Sequence, residues 1–161
     1  MKELLDSILE RIATIPELKY VDEDWGQLDD YENPPAKFPL ALIDLDVSEW
    51  NNLGNLSQTA EVRIGVTLCT MRLSNSSKAA PATQRQKAFE IFALLDGLQG
   101  VLQGWCPTGG NRMMRRSTTK RDTLRGLKAY RVEYVCRIGD DIAARRPQTT
   151  VQAAPVISIE P

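Results

Sequence analysis

The stretch "TAEVRIGVTLCTM", residues 59–71, does most to limit what this chain can fold into. Val62, Ile64, Val66 and Leu68 fall on one side, with Glu61, Arg63 and Thr67 on the other. A period of two belongs to a β-strand, and its apolar side has to be covered by something else. A second strand is expected over "FPLALIDLDVSEW", with Leu40 and Leu42 on one face and Ala41, Ile43, Leu45 and Val47 on the other. Apolar residues on both faces mean that both are partly covered. Pro39 suits only the start of that strand, and "NNLGN" reads as a break after it.

Two helices supply the cover. In "KELLDSILERIATI", Leu4, Leu5, Ile8, Leu9, Ile12 and Ile15 recur at helical spacing, and Pro16 stops the run. "LKYVDEDW" is a short extended segment, leading into a polar stretch with Trp25, Tyr31, Pro34 and Pro35. After the loop "SNSSKAAPAT", the run "QRQKAFEIFALLDGLQGVLQG" reads as one helix. Phe92, Leu95, Leu98 and Leu102 form its stripe, widened by Phe89, Ile91, Leu94 and Val101. Gly97 and Gly100 weaken a helix, so close packing on the sheet is expected there. "CPTGG" ends it. In "LKAYRVEYVCRIG", Tyr130, Val132, Tyr134, Cys136 and Ile138 alternate with Arg131, Glu133 and Arg137, a strand with one wet face. The arm from Arg112 to Lys120 alternates poorly, but the turn "RDTLRG" makes it the other half of a hairpin. The expected core comprises Val62, Ile64, Val66, Leu68, Phe92, Leu95, Leu98, Val132 and Tyr134.

The expected fold is therefore α+β: a single domain with a largely antiparallel four- to five-stranded sheet and two helices packed on one face. Residues 1–141 form the domain, and 142–161 an extended or disordered C-terminal tail in which "PVISI" is suited to pairing on another chain's sheet edge. At 161 residues the chain is long enough for one sizeable core. Its apolar runs are too short to cross a bilayer, and its charged N-terminus is unlike a secretory signal. A cytoplasmic product with no membrane partner is expected.

Catalysis finds little support. The chain has no histidine, which removes the usual general base and every Ser-His or Cys-His nucleophile. Cys69, Cys106 and Cys136 are widely spaced and form no CxxC pair, so no zinc site is expected. Cys69 and Cys136 read as buried hydrophobes. "GGNR" lacks the lysine and hydroxyl of a phosphate loop. Asp22, Asp24, Asp29 and Asp30 do not fit the spacing of a calcium loop. Asp44 and Asp46 read as solvent or interface carboxylates. No cofactor, metal or enzymatic activity is expected.

Charge is the more informative signal. Residues 1–50 hold thirteen acids against four bases, a net of −9, and residues 51–161 hold eight against sixteen, a net of +8. The basic run contains Arg112, Arg115, Arg116, Lys120, Arg121 and Arg125, and the acidic one, "DEDWGQLDDYE", contains Asp22, Asp24, Asp29 and Asp30. Trp25, among those acids, is the candidate interface anchor, while Trp50 and Trp105 read as core or rim aromatics. A nucleic-acid binder usually has a basic excess over the whole domain. This chain instead carries a basic half and an acidic half of nearly equal charge, so its own copies are complementary partners. The alternative is a nucleic-acid-binding adaptor that uses residues 112–131 on phosphates.

The order of elements, with "LLDSILERIATIPELKYV", "PAKFPLALIDL" and "KAFEIFALLDGLQGVLQG", resembles the tail-terminator and tail-completion proteins (minor tail protein U-like) of long-tailed bacteriophages and prophages. The resemblance covers residues 1–141. It implies a non-enzymatic structural protein that forms a ring, six-membered in that family, capping the tail tube and joining it to the head. Its implied partners are other copies of itself, the tail-tube protein and a head-completion protein. Its implied locations are the bacterial host cytoplasm during assembly and then the virion tail.

Overall fold

The computed structural model describes residues 1–29, 37–71, 74–121, 126–143 and 145. Among them lie α1 (Lys2–Ile12), β1 (Tyr20–Glu23), β2 (Leu40–Gly54), β3 (Ser57–Met71), α2 (Ala82–Ala88), α3 (Glu90–Leu102), β4 (Met114–Arg121) and β5 (Leu127–Asp140). The strands form one five-stranded sheet in the order β1-β2-β3-β5-β4. Only the short β1 runs parallel to its neighbour; the other pairings are antiparallel. This is the expected α+β architecture, with a largely antiparallel sheet.

β3 is the central strand, paired along its length with both β2 and β5. Val62, Ile64, Val66 and Leu68 are fully buried, as their alternation requires. They meet Leu4, Ile8 and Ile12 of α1 and Leu94, Leu98 and Leu102 of α3 in one core. The two faces of β2 also divide as expected. Ala41 and Ile43 join that core, with Leu45 and Val47 packed at its margin, while Leu40 and Leu42 belong to a smaller cluster on the opposite face with Leu28, Cys69 and Ala129. Cys69 and Cys136 are buried and Cys106 is exposed.

Several expectations need correction. "NNLGN" does not break the sheet. β2 continues to Gly54, which pairs with Ser57 across a two-residue turn. Asn55 and Leu56 take φ of 50° and 62°, the doubly left-handed geometry that suits the twist of a tight hairpin. α1 ends at Ile12, before Pro16; Ile15 is buried from the following turn. The middle helix is two helices meeting at Phe89 (φ −101°, ψ 3°), and α2 buries no residue.

The core face of α3 is Ile91, Leu94, Leu98 and Leu102. Leu95 is half-buried, and Phe92 stays 43% exposed. α3 is apolar on most of its circumference, so its period alone does not choose the face. Phe92 lies at the helix margin, against Tyr130 at 5.7 Å between ring centroids, with the Lys128 ammonium 4.6 Å from its ring. Gly97 and Gly100 do not allow close approach to the sheet: a methyl at Gly97 would meet Ile15 at 3.8 Å, and one at Gly100 would meet open space. Thr67, expected to point outward, is fully buried. No hydrogen-bond partner for its hydroxyl lies among the described residues.

Candidate assembly interface

The basic run forms an edge strand. Among the described residues, β4 pairs with β5 on one side only, at the end of the sheet order. Arg115 stands opposite Tyr134 and Ser117 opposite Glu133, so Arg116 is an extra, bulged residue. The bulge explains the poor alternation of the sequence here, because it switches the face of every residue after it. Gln103 Oε1 accepts the Arg115 N–H at 3.0 Å and tethers the bulge to the end of α3. Asn111 exchanges hydrogen bonds with the Arg137 backbone (2.9 and 2.7 Å), which anchors the approach to the strand. Arg112, Arg115, Arg116 and Lys120 are exposed. Among the described residues, no carboxylate forms an ion pair with any of these four. A charged, bulged edge is also a common guard against indiscriminate strand pairing.

Five acids lie on the far side of the sheet. Asp22 and Glu23 are in β1, and Asp44, Asp46 and Glu49 are in β2. Tyr20 donates its hydroxyl to Asp22, and that hydrogen bond to a carboxylate raises the Tyr20 pKa above its ordinary value. Asp46 and Glu49 are exposed. Opposite charges thus occupy opposite edges of one sheet, an arrangement that the two runs do not reveal in linear order.

Residues 24–29 cross between the edges as a strap. Gln27 binds the strap to itself, accepting the Trp25 N–H at 2.9 Å and donating to the Glu23 carbonyl at 2.6 Å. Gly26 takes φ of 98°, a backbone conformation costly for other residues. Leu28 is then driven into the cluster with Leu40, Leu42, Cys69 and Ala129. On β4, Arg121 grips Asp24 at 3.3 Å and Asp29 at 3.0 Å. Trp25 stays 64% exposed on top of the strap.

The structure therefore brings Asp24, Asp29 and Arg121 together within one chain, and leaves Arg112, Arg115, Arg116 and Lys120 facing outward at the other edge from Asp22. Asp30 and Arg125 lie outside the described residues, as do positions 146–161 of the tail. Sequence reasoning missed the central pair of the strap face. Arg131 meets Asp44 through both guanidinium nitrogens, one of them at 2.8 Å. Its guanidinium lies over Gly65, where a methyl group would come within 2.2 Å of it. A glycine interrupting an otherwise clean strand pattern was the available signal.

Among the described residues, no helix is long and apolar enough to cross a membrane. No protein-family model matches the chain, and no curated protein matches it. Its fold is similar to that of a chain in a solved structure titled "Virion of native gene transfer agent (GTA) particle", with a TM-score of 0.56 and 11% sequence identity. The match covers 86% of this chain and 96% of that one.

Proposed function

We propose that this protein is a structural component of a phage-like particle, assembling head to tail into a closed ring that caps a tail tube. The observation that carries this reading is the segregation of charge onto opposite edges of one sheet. A ring needs an interface in which one patch meets a different patch on the next copy. An acidic β1–β2 edge facing a basic β4 edge meets that need and disfavours like-to-like pairing. The similarity of fold to a chain of a gene transfer agent virion supports the particle context, and the sequence resemblance to tail terminators supports the place within it. Arg121 and Arg131, both in the basic segment, already face carboxylates of their own chain. That weakens a phosphate-binding role for the segment as a whole.

The test is a pair of charge reversals. Arg115→Glu with Arg116→Glu should leave a folded protein that no longer assembles. Asp46→Lys with Glu49→Lys in a second sample should behave alike, and mixing the two should restore association. A basic-edge variant that assembles normally but has lost a salt-sensitive affinity for duplex DNA would replace this reading with that of a nucleic-acid-binding adaptor.

A further inference from the structure

The β2–β3 hairpin runs on past its neighbour. The last β3–β5 pair is Gln58 with Asp140, so residues 53–57, which turn the chain at Asn55 and Leu56, lie beyond it. This tip is apolar and uncharged. Leu53 is 68% and Leu56 55% exposed, and between Glu49 and Glu61 there is no charged residue. Leucine is also a costly choice at position 56. Its φ of 62° is one that asparagine or glycine supplies more cheaply in a two-residue hairpin turn. Backbone strain held beneath an exposed apolar side chain points to a use for that side chain.

Away from the tip, α3 and β4 leave a groove of about 540 Å³ between them, bordered by Phe92, Leu95, Asp96, Arg115, Arg116 and Tyr130. Its volume is in the range of ligand pockets. The floor is apolar: Phe92 packs on Tyr130, and Leu95 is half-buried. The rim is basic, through the exposed Arg115 and Arg116.

We propose that the hairpin tip, residues 53–56, of one copy docks in the α3–β4 groove of the next; the inference rests on the ring reading above. The chain's own tip is too far away to fill the groove. Asp140, beside the base of the tip, and Tyr130, in the groove, are ten residues apart along β5, a distance of about 33 Å. Charge then favours another copy. The tip ends the acidic β2 edge, and the groove borders the basic β4 edge, so the ring contact brings the two together. The spacing of apolar and charged residues also agrees. Glu49 lies four residues before Leu53 on β2, about 13 Å. Arg115 stands opposite Tyr134, four residues from Tyr130 on β5, again about 13 Å. Seating Leu53 against Phe92 and Tyr130 therefore brings Glu49 to Arg115. Asp96 meets no acid from the tip, whose Asn51, Asn52 and Asn55 offer it amide donors instead.

The experiment uses the full-length chain. Leu53→Asn with Leu56→Asn removes the apolar knob, changes no charge, and puts a residue suited to positive φ in the turn. The variant should keep its denaturation midpoint, while native mass should show the concentration for half-assembly raised at least tenfold. Assembly equal to that of the unmodified protein overturns tip docking and leaves the ring reading standing. An unmodified protein that is monomeric at all concentrations overturns both. A cross-link locates the tip independently. In a Cys106→Ser background, one chain carries both Leu56→Cys and Thr118→Cys, the latter an exposed position at the groove. Mild oxidation should give a ladder of disulfide-linked multimers, and neither single cysteine should give more than dimers. A ring without the ladder, or a disulfide closed within one chain, overturns the inference. So does a Thr118→Cys thiol that a reagent cannot reach in dilute monomer, because the groove is then filled from within its own chain.

Discussion

Arg131 can reach across β3 to Asp44 because Gly65 beneath it has no side chain. Both partners are about one-third exposed, so the pair is screened and contributes on the order of 1 kcal/mol. Gly65→Ala should displace the guanidinium and cost about that much. With Arg131→Met already present, the same change should stabilise by about 0.5 kcal/mol, because alanine loses less backbone entropy than glycine in a strand. Denaturation midpoints of the four proteins in the cycle check this, and equal effects in both backgrounds would rule it out. The buried titratable groups make a second prediction. Burial pushes the Cys69 thiol from 9.0 up to about 12, Cys136 to about 11, and the Tyr134 hydroxyl from 10.0 to about 12. Each folded value is raised, so the stabilisation is complete below the unfolded value and is lost as pH rises toward the folded one. Stability should therefore fall between about pH 9 and 12. At pH 8 a thiol reagent should label Cys106 alone in the native protein and all three cysteines in denaturant.

At the scale of elements, α3 and the strap separate what packing demands from what pattern suggests. Leu98→Ala should cost about 2–5 kcal/mol, because Leu98 is fully buried between α1 and the sheet. Leu95→Ala should cost less, and Phe92→Ala less than about 1.5 kcal/mol, since the ring is partly solvated. Equilibrium unfolding of the three variants gives the order, and a Phe92 effect as large as that of Leu98 would contradict the assigned helix face. Leu28→Ala should loosen the strap without disturbing the main core, visible as selective loss of amide protection over residues 24–29. The main-core face of β3 and the body of α1 were legible because their apolar residues recur at the period of the element, and β2 because both of its faces carry apolar residues that must be covered. α3 was less so, being apolar nearly all round. The β4 bulge and the Asn55–Leu56 turn were illegible for another reason: an extra residue and a leucine at positive φ are backbone events with no distinctive composition. The strap depends on Arg121 meeting Asp24 and Asp29, some ninety residues earlier, and no local pattern reports that contact.

For the whole molecule, near-neutral net charge conceals a dipole laid across the sheet. Acids occupy the β1–β2 edge, exposed bases occupy β4, and the strap neutralises Arg121 on the face between them. The sequence shows two runs of charge, but only the strand order and the strap contacts place Asp22 at one edge, Arg115, Arg116 and Lys120 at the other, and Asp24 and Asp29 against Arg121. Charges so arranged accelerate the encounter of unlike edges, with a strong dependence on salt. Testing the basic edge requires that Arg121 be kept, because its reversal would set a glutamate against Asp24 and Asp29 within the same chain. The most direct measurement is native mass as a function of concentration and salt, on the unmodified protein and on the Arg115→Glu, Arg116→Glu, Lys120→Glu variant. The account predicts a closed oligomer of one size for the unmodified protein, weakened by added salt, and a folded monomer for the variant. A variant that forms the same closed oligomer as the unmodified protein would contradict it.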